Sequence, residues 1–228
     1  MQTFDQVIQS NASFIQKVVD FDVKYDRLLA LDFTVANTEL TDEILDDTDL
    51  FSDWVNKKLT ENNARYGIGG YNEHRTIYSR SAHFDTGEEP RRLHLGVDIW
   101  GPAGTPVYNF YDATVQSFAN NNNFGDYGAT IILTYEIDGF KFNALYGHLS
   151  LSSLNGLEEG KFIPGGTKIA ELGAKEENGY WPPHLHFQLI ENMDGLKGDY
   201  PGVCRFSERE KYLANCPDPN LILKATFL

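Results

Sequence analysis

Two histidines stand one residue apart inside an apolar run, PPHLHFQLI at residues 182–190. On an extended strand successive side chains point to opposite faces, so His184, His186 and Gln188 share one face while Leu185, Phe187 and Leu189 share the other. The apolar face is a core face, and the two imidazoles sit side by side with their Cα atoms about 7 Å apart. Histidine is the commonest metal ligand, and a His-x-His on an alternating strand suits that use. Two ordinary half-exposed strand residues are the plain alternative. The choice turns on whether further ligands exist.

His94 opens the segment HLGVD, which places Asp98 four residues on. Gly96 and the β-branched Val97 and Ile99 disfavour a helix, and an even offset still puts His94 and Asp98 on one side of an extended chain. Joined by one or both histidines of HLHFQ, they make three nitrogen and oxygen ligands. That is the stoichiometry of a catalytic zinc site with an open fourth position; a structural site is closed by four ligands and usually includes cysteine. Iron or manganese can use the same residue types. His148, in ALYGHLS, brings an imidazole from a further segment, so four of the six histidines fall in these motifs. Gln188 shares the face of His186 and could accept from a ligand ring, although a solvated glutamine is the simpler reading.

The motifs HLGVD, GPAGTPV, LYGHLS and PHLHFQL occur in that order over roughly residues 92–190. In residues and order they closely resemble the lysostaphin-type zinc metallopeptidases, a family of peptidoglycan-crosslink endopeptidases. The resemblance implies one Zn2+ bound by His94, Asp98 and His186, with His148 and His184 acting in catalysis. It also implies an antiparallel β core of the duplicated hybrid motif type, shared with glucose-permease phosphocarrier domains. The substrate class implied is a peptide or a peptidoglycan fragment. Two competing functions are a phosphocarrier-like domain, which Asp98 disfavours, and a catalytically silent zinc module, which the intact His148 and His184 disfavour. The context EENGYWPPHLHFQLI, YPGVC and CPDPNLIL is similar to a subgroup that joins kinase-like and aminotransferase domains, which implies an intracellular setting.

These residues require a scaffold of short strands. From about residue 92, TPVYNFY, ATVQSFA, ATIILTYEI, FKFNALYGHL, TKIAELG and HLHFQLI follow one another at short intervals. That pattern predicts a mainly β fold, an antiparallel β sandwich or folded sheet. Asp138-Gly139, between Tyr135 and Phe142, is the strongest hairpin signal. Before it, Phe4, Val7, Ile8, Phe14, Ile15, Val18 and Val19 form an approximately helical stripe over residues 3–20. RLLALDFTV at 27–35 reads as a strand. Leu50, Phe51, Trp54, Val55 and Leu59 predict an inward-facing helix capped by Asp47 or Asp49 and ending near Asn62. YGIGGYNEHR at 66–75 reads as a glycine-rich loop without the spacing of a phosphate cradle. The expected organisation is a helical extension over residues 1–75 packed on a peptidase domain over 76–228, whose last stretch from Asn192 reads as loop with short helices. Asn72 and Arg75 in that loop are candidates to line the cleft and touch substrate, with an exposed connector as the alternative. Tyr146 and Trp181, which flank the motifs, are candidate substrate walls, and core packing explains them equally well.

The chain has 228 residues, long enough to bury a substantial core. Its 19 Lys and Arg against 33 Asp and Glu give a net charge of −14. This disfavours phosphate backbones and anionic membrane surfaces, so neither nucleic acid nor membrane is an expected partner. No apolar run approaches a membrane span. The start MQTFDQVIQSNASF lacks a basic segment followed by an apolar core, so a cytoplasmic protein is expected, periplasmic or secreted if a leader has been processed. Cys204 and Cys216 are too few for a disulfide framework, and reduced thiols are expected, with a single bridge between them as the alternative.

Overall fold

The computed structural model describes residues 3–227. The N-terminal elements are α1 (Phe4–Ser10), β1 (Leu28–Ala30), α2 (Asp42–Asp46), α3 (Thr48–Glu61) and β2 (Tyr66–Gly69). The central strands are β3 (Leu93–His94), β4 (Val97–Trp100), β5 (Pro106–Tyr108), β6 (Ala113–Asn121), β7 (Gly128–Ile137), β8 (Phe140–Leu149), β9 (Phe162–Ile163), β10 (Lys168–Glu171) and β11 (His184–Ile190). The chain closes with β12 (Val203–Cys204), α4 (Arg209–Asn215) and α5 (Asn220–Phe227). Eight strands form one sheet in the order β1-β2-β4-β11-β8-β7-β6-β9, while β10 with β5 and β12 with β3 form two short ribbons. Within the large sheet every pairing is antiparallel except that of β1 with β2. The fold is therefore mainly β and mostly antiparallel, as the strand pattern predicts.

Alternation decides what each face carries. Val97 and Ile99 of β4, Ile131 and Leu133 of β7, Tyr146 of β8 and Leu185, Phe187 and Leu189 of β11 pack into the largest apolar core. The opposite face carries two smaller apolar clusters. Phe33, Phe51 and Trp100 belong to one, and Leu93, Leu145, Ile190 and Cys216 to the other. Asp98, His184, His186 and Gln188 share that second face and are buried. Both cysteines are free and buried.

Local chemistry accounts for most boundaries. The β7–β8 hairpin turns through Asp138 and Gly139, both at positive φ (51° and 78°), which is the two-residue turn that matches strand twist. Asp47 caps α3 by accepting from the backbone N–H groups of Asp49 and Leu50, and Phe51, Val55 and Leu59 form its buried face. The expected helix over residues 3–20 is shorter. Helix α1 stops at Ser10, where the Asn11 side chain donates to the Val7 carbonyl and to Asp138. Beyond it Ile15, Val18 and Val19 are buried without being helical, and Val19 bridges to Val107. Tyr66–Gly69, read as loop, is strand β2, because Gly67, Ile68 and Gly69 pair with Trp100, Ile99 and Asp98. The segment before residue 76 thus supplies helices and also two strands of the main sheet.

Phe187 follows His186 on β11, packed on Phe110 and Tyr146 with centroids 5.9 and 5.3 Å away. Replacing it with alanine removes a fully buried ring. The substitution should lower unfolding stability by about 3–5 kcal/mol, measured as a shift in urea midpoint; a loss below 1 kcal/mol would show that this face does not brace the strand.

Candidate metal centre

Register places the first two groups. His186 on β11 lies opposite Asp98 on β4 and opposite Gly147 on β8, and Asp98 in turn lies opposite Gly69 on β2. Across four strands the row reads Gly69, Asp98, His186, Gly147, two functional side chains flanked by residues with none. His94 enters from β3, after which the chain bends at Gly96 before β4. A Cβ on Gly96 would come within 2.7 Å of the His186 ring, so only glycine lets the bend pass so close.

The three side chains converge on a few atoms. His94 Nε2 lies 3.0 Å from His186 Nδ1 and 3.2 Å from Asp98 Oδ1, and His186 Nδ1 lies 3.1 Å from the same oxygen. The outer atoms of both rings fix their protons. His94 Nδ1 faces the Gly70 carbonyl at 2.9 Å, and a carbonyl can only accept, so this nitrogen carries the hydrogen. His186 Nε2 faces Gln188 Oε1 at 2.9 Å, and the Gln188 amide is oriented by donating to the Pro201 carbonyl and to Cys216 Sγ. Neutral rings hydrogen-bonded in this way present unprotonated His94 Nε2 and His186 Nδ1 to each other and to a carboxylate. Three lone-pair donors with no proton between them, all in buried residues, ask for a cation.

Electrostatics keeps His94 and Asp98 in that state. Burial, followed by the Arg75 guanidinium, pulls the His94 pKa down to about 3 against the opposing pull of Asp98. Burial alone would raise the pKa of Asp98, but His94 and Arg75 hold its carboxyl well below the usual carboxylate range. Its second oxygen, Oδ2, accepts from Arg75 Nη1 at 2.5 Å. Ligands about 2.0–2.2 Å from a tetrahedral zinc lie about 3.3–3.6 Å from one another. The donors here, 3.0–3.2 Å apart, would need to open by only a few tenths of an ångström. The residues fit a divalent cation.

His148 reaches the same face by a break in alternation. Ile131 and Ala129 of β7, two residues apart, oppose Tyr146 and Leu149 of β8, three apart, so β8 carries one extra residue. Tyr146 and Leu149 both stay in the large core, and His148, at φ 61°, turns its ring toward the site. Such a bulge with a non-glycine residue in the left-handed region is strained geometry of the kind found at functional sites. The His148 and His184 rings lie 4.1 Å apart, and His184 stacks on Trp100 at 3.9 Å. Each ring donates Nδ1–H to a backbone carbonyl at 2.8 Å, His148 to Asn178 and His184 to Pro182. Nε2 of each is therefore unprotonated, and burial first of all lowers both pKa values, that of His184 to about 4.

A cleft of about 130 Å³ opens onto Asp98, His148, His184 and His186, with Trp181, Tyr127, Tyr78, Phe84 and Trp100 among its walls. Trp181 borders the cleft, but the other substrate-contact candidates do not. Tyr146 is on the opposite face of the sheet, buried in the large core and hydrogen-bonded to the Tyr135 hydroxyl at 2.7 Å. Arg75 is fully buried, its guanidinium spent on Asp98 and Glu73. Asn72 accepts from Arg209 Nε at 3.0 Å, away from the cleft lining. Gln188, read more simply as solvated, is buried against His186; its even offset from that histidine was the available signal. Tyr78 and Tyr127 stand near the centre with no signal in their local sequence.

Residues 92–197 match Peptidase family M23. Among solved structures, the catalytic domain of the antimicrobial peptidase lysostaphin from Staphylococcus simulans is 25% identical, covering 76% of this chain and 97% of that one at a TM-score of 0.45. A zinc-containing peptidase from Vibrio cholerae is 29% identical over 43% of this chain at a TM-score of 0.34, and the match spans 27% of that protein's length. The catalytic domain of the prophage-encoded M23 protein EnpA from Enterococcus faecalis is 21% identical, covering 51% of this chain and 84% of that one at a TM-score of 0.37. Comparison with curated proteins returns no match. All five residues of the cluster, His94, Asp98, His148, His184 and His186, fall inside the matched segment. Residues 92–197, just under half of the chain, are thus similar to Peptidase family M23.

Proposed function

We propose that this chain is a zinc-dependent metalloendopeptidase that hydrolyses an amide bond in a peptide of peptidoglycan type. The observation that carries the reading is the convergence of three unprotonated donors beside two neutral imidazoles at the edge of one cleft. His94 Nε2, Asp98 Oδ1 and His186 Nδ1 would hold the ion, a nitrogen and oxygen set that suits zinc. When bound, zinc supplies Lewis acidity and lowers the pKa of water at its open position to about 7.

The chain's own part is proton traffic and orientation. With Nδ1–H committed to a carbonyl and burial favouring the neutral form, both His148 and His184 are proton acceptors at neutral pH. One ring takes the proton from the attacking water as the C–O bond forms, and returns it to the leaving amine as the C–N bond breaks. Stacking on Trp100 fixes the plane of His184, and the bulge fixes that of His148. Trp181, with ring centroids 6.3 Å from both histidines, walls the cleft beside them.

Two tests separate ligand from catalytic roles. His184→Ala and His148→Ala should each keep one zinc per chain by elemental analysis and lose roughly 10²–10⁴-fold in kcat/KM on crosslink peptides containing glycine or D-amino acids, whereas Asp98→Ala should lose the zinc itself. Wild-type protein that holds zinc yet is as inert as His184→Ala across such a panel would contradict the enzyme reading. Stripping the ion with a chelator should abolish hydrolysis and lower the thermal midpoint, and zinc at about 1,000 times its Kd should restore roughly 4 kcal/mol of stability. An unchanged midpoint after chelation would count against a metal held by these buried groups.

A further inference from the structure

Arg75 lies outside the segment matched to family M23, which begins at residue 92, yet its guanidinium touches a member of the donor set directly. Nη1 donates to Asp98 Oδ2 and, at 3.3 Å, to the Tyr78 hydroxyl. Nε donates to Glu73 Oε2 at 2.6 Å, and Nη2 to the Gly70 carbonyl at 3.3 Å. The same carbonyl accepts from His94 Nδ1. The segment from Gly70 to Tyr78 therefore grips two members of the donor set from behind, and Arg75 is its hub.

We propose that Arg75 is a positioning residue of the metal centre, holding Asp98 so that only Oδ1 is offered to the cation. This rests on the zinc reading above. A carboxylate with both oxygens free can bind a cation through one or both; here Oδ2 is occupied by a planar fork that lysine cannot reproduce. A cation beside a ligand carboxylate would by itself oppose metal binding through charge repulsion. Glu73 cancels that charge, since Arg75 bridges the two carboxylates. What is left is orientation, and removing an orienting partner of a ligand typically weakens metal affinity by roughly 10–100-fold. The packing around the fork supports the assignment. Arg75 is fully buried, lies over the Phe33 ring at 5.2 Å, and would meet a Cβ on Gly69 at 2.6 Å.

The test compares full-length wild type with Arg75→Gln, Arg75→Lys and Gly69→Ala, the last of which crowds the guanidinium while keeping its charge. The readouts are zinc Kd by competition with a chromophoric chelator and the visible absorption spectrum of the cobalt(II)-substituted protein. Wild type should give the intense bands of a four-coordinate site. Arg75→Gln should bind zinc roughly 10–100-fold more weakly and give the weaker bands of a higher-coordinate site as Asp98 swings to bind through both oxygens. Arg75→Lys should recover only part of the affinity, and Gly69→Ala should shift the spectrum in the same direction as Arg75→Gln. Variants that fold, bind zinc as tightly as wild type and keep its cobalt spectrum overturn the proposal. Wild type that binds no zinc overturns the reading beneath it instead.

Discussion

Three buried lone pairs pointed at one another are an unstable arrangement unless a cation lies between them, and the architecture of this chain is organised around holding them there. His94 Nε2, His186 Nδ1 and Asp98 Oδ1 stand 3.0–3.2 Å apart. Each is fixed from behind, by the Gly70 carbonyl, the Gln188 amide and the Arg75 guanidinium respectively. Two outward N–H donations decide which ring nitrogens are bare. Without them either ring could rotate or exchange its tautomer, and the repulsion would be relieved by a hydrogen bond instead of an ion.

The sheet provides the rigidity this requires. Asp98, His184 and His186 sit on adjacent central strands whose opposite face is locked into the largest core, so none can move without disturbing that packing. On their own face they occupy the gap between two smaller apolar clusters, whose low polarity strengthens the charge interactions there. His148 is the exception in its route to the site. An extra residue in β8 and a left-handed backbone turn it onto the same face as Gly147, a local strain the surrounding sheet sustains.

Much of this was legible in the sequence, for a physical reason. The period of two in HLHFQLI puts His184, His186 and Gln188 on one face whatever the fold, and the even offset from His94 to Asp98 survives the bend at Gly96. The Asp138-Gly139 turn is encoded by two residues that tolerate positive φ. Other features depend on partners far away along the chain. Arg75 is 23 residues from Asp98, and nothing in its own loop distinguishes an exposed connector from a buried fork. Tyr146 neighbours the site in sequence yet faces the core, because its side depends on which strand pairs with β8 and in what register. The bulge at His148 leaves no pattern of its own. The stripe over residues 3–20 has helical spacing, but its second half buries the same side chains without a helix, packed where the chain runs past β5.

The cleft side has its own logic. His148 and His184 donate Nδ1–H to backbone carbonyls and keep Nε2 bare, whereas His94 and His186 are tied through the ring nitrogen that lies away from Asp98. One hydrogen-bonding rule thus sorts four clustered imidazoles into two pairs, to which the proposal gives different roles. The most direct measurement is a crystal structure of zinc-loaded protein with anomalous data collected at the zinc edge. A single peak about 2.0–2.2 Å from His94 Nε2, His186 Nδ1 and Asp98 Oδ1 is the result expected. A peak elsewhere, or a metal-free centre at saturating zinc with the same three atoms in hydrogen-bond contact, would contradict the account.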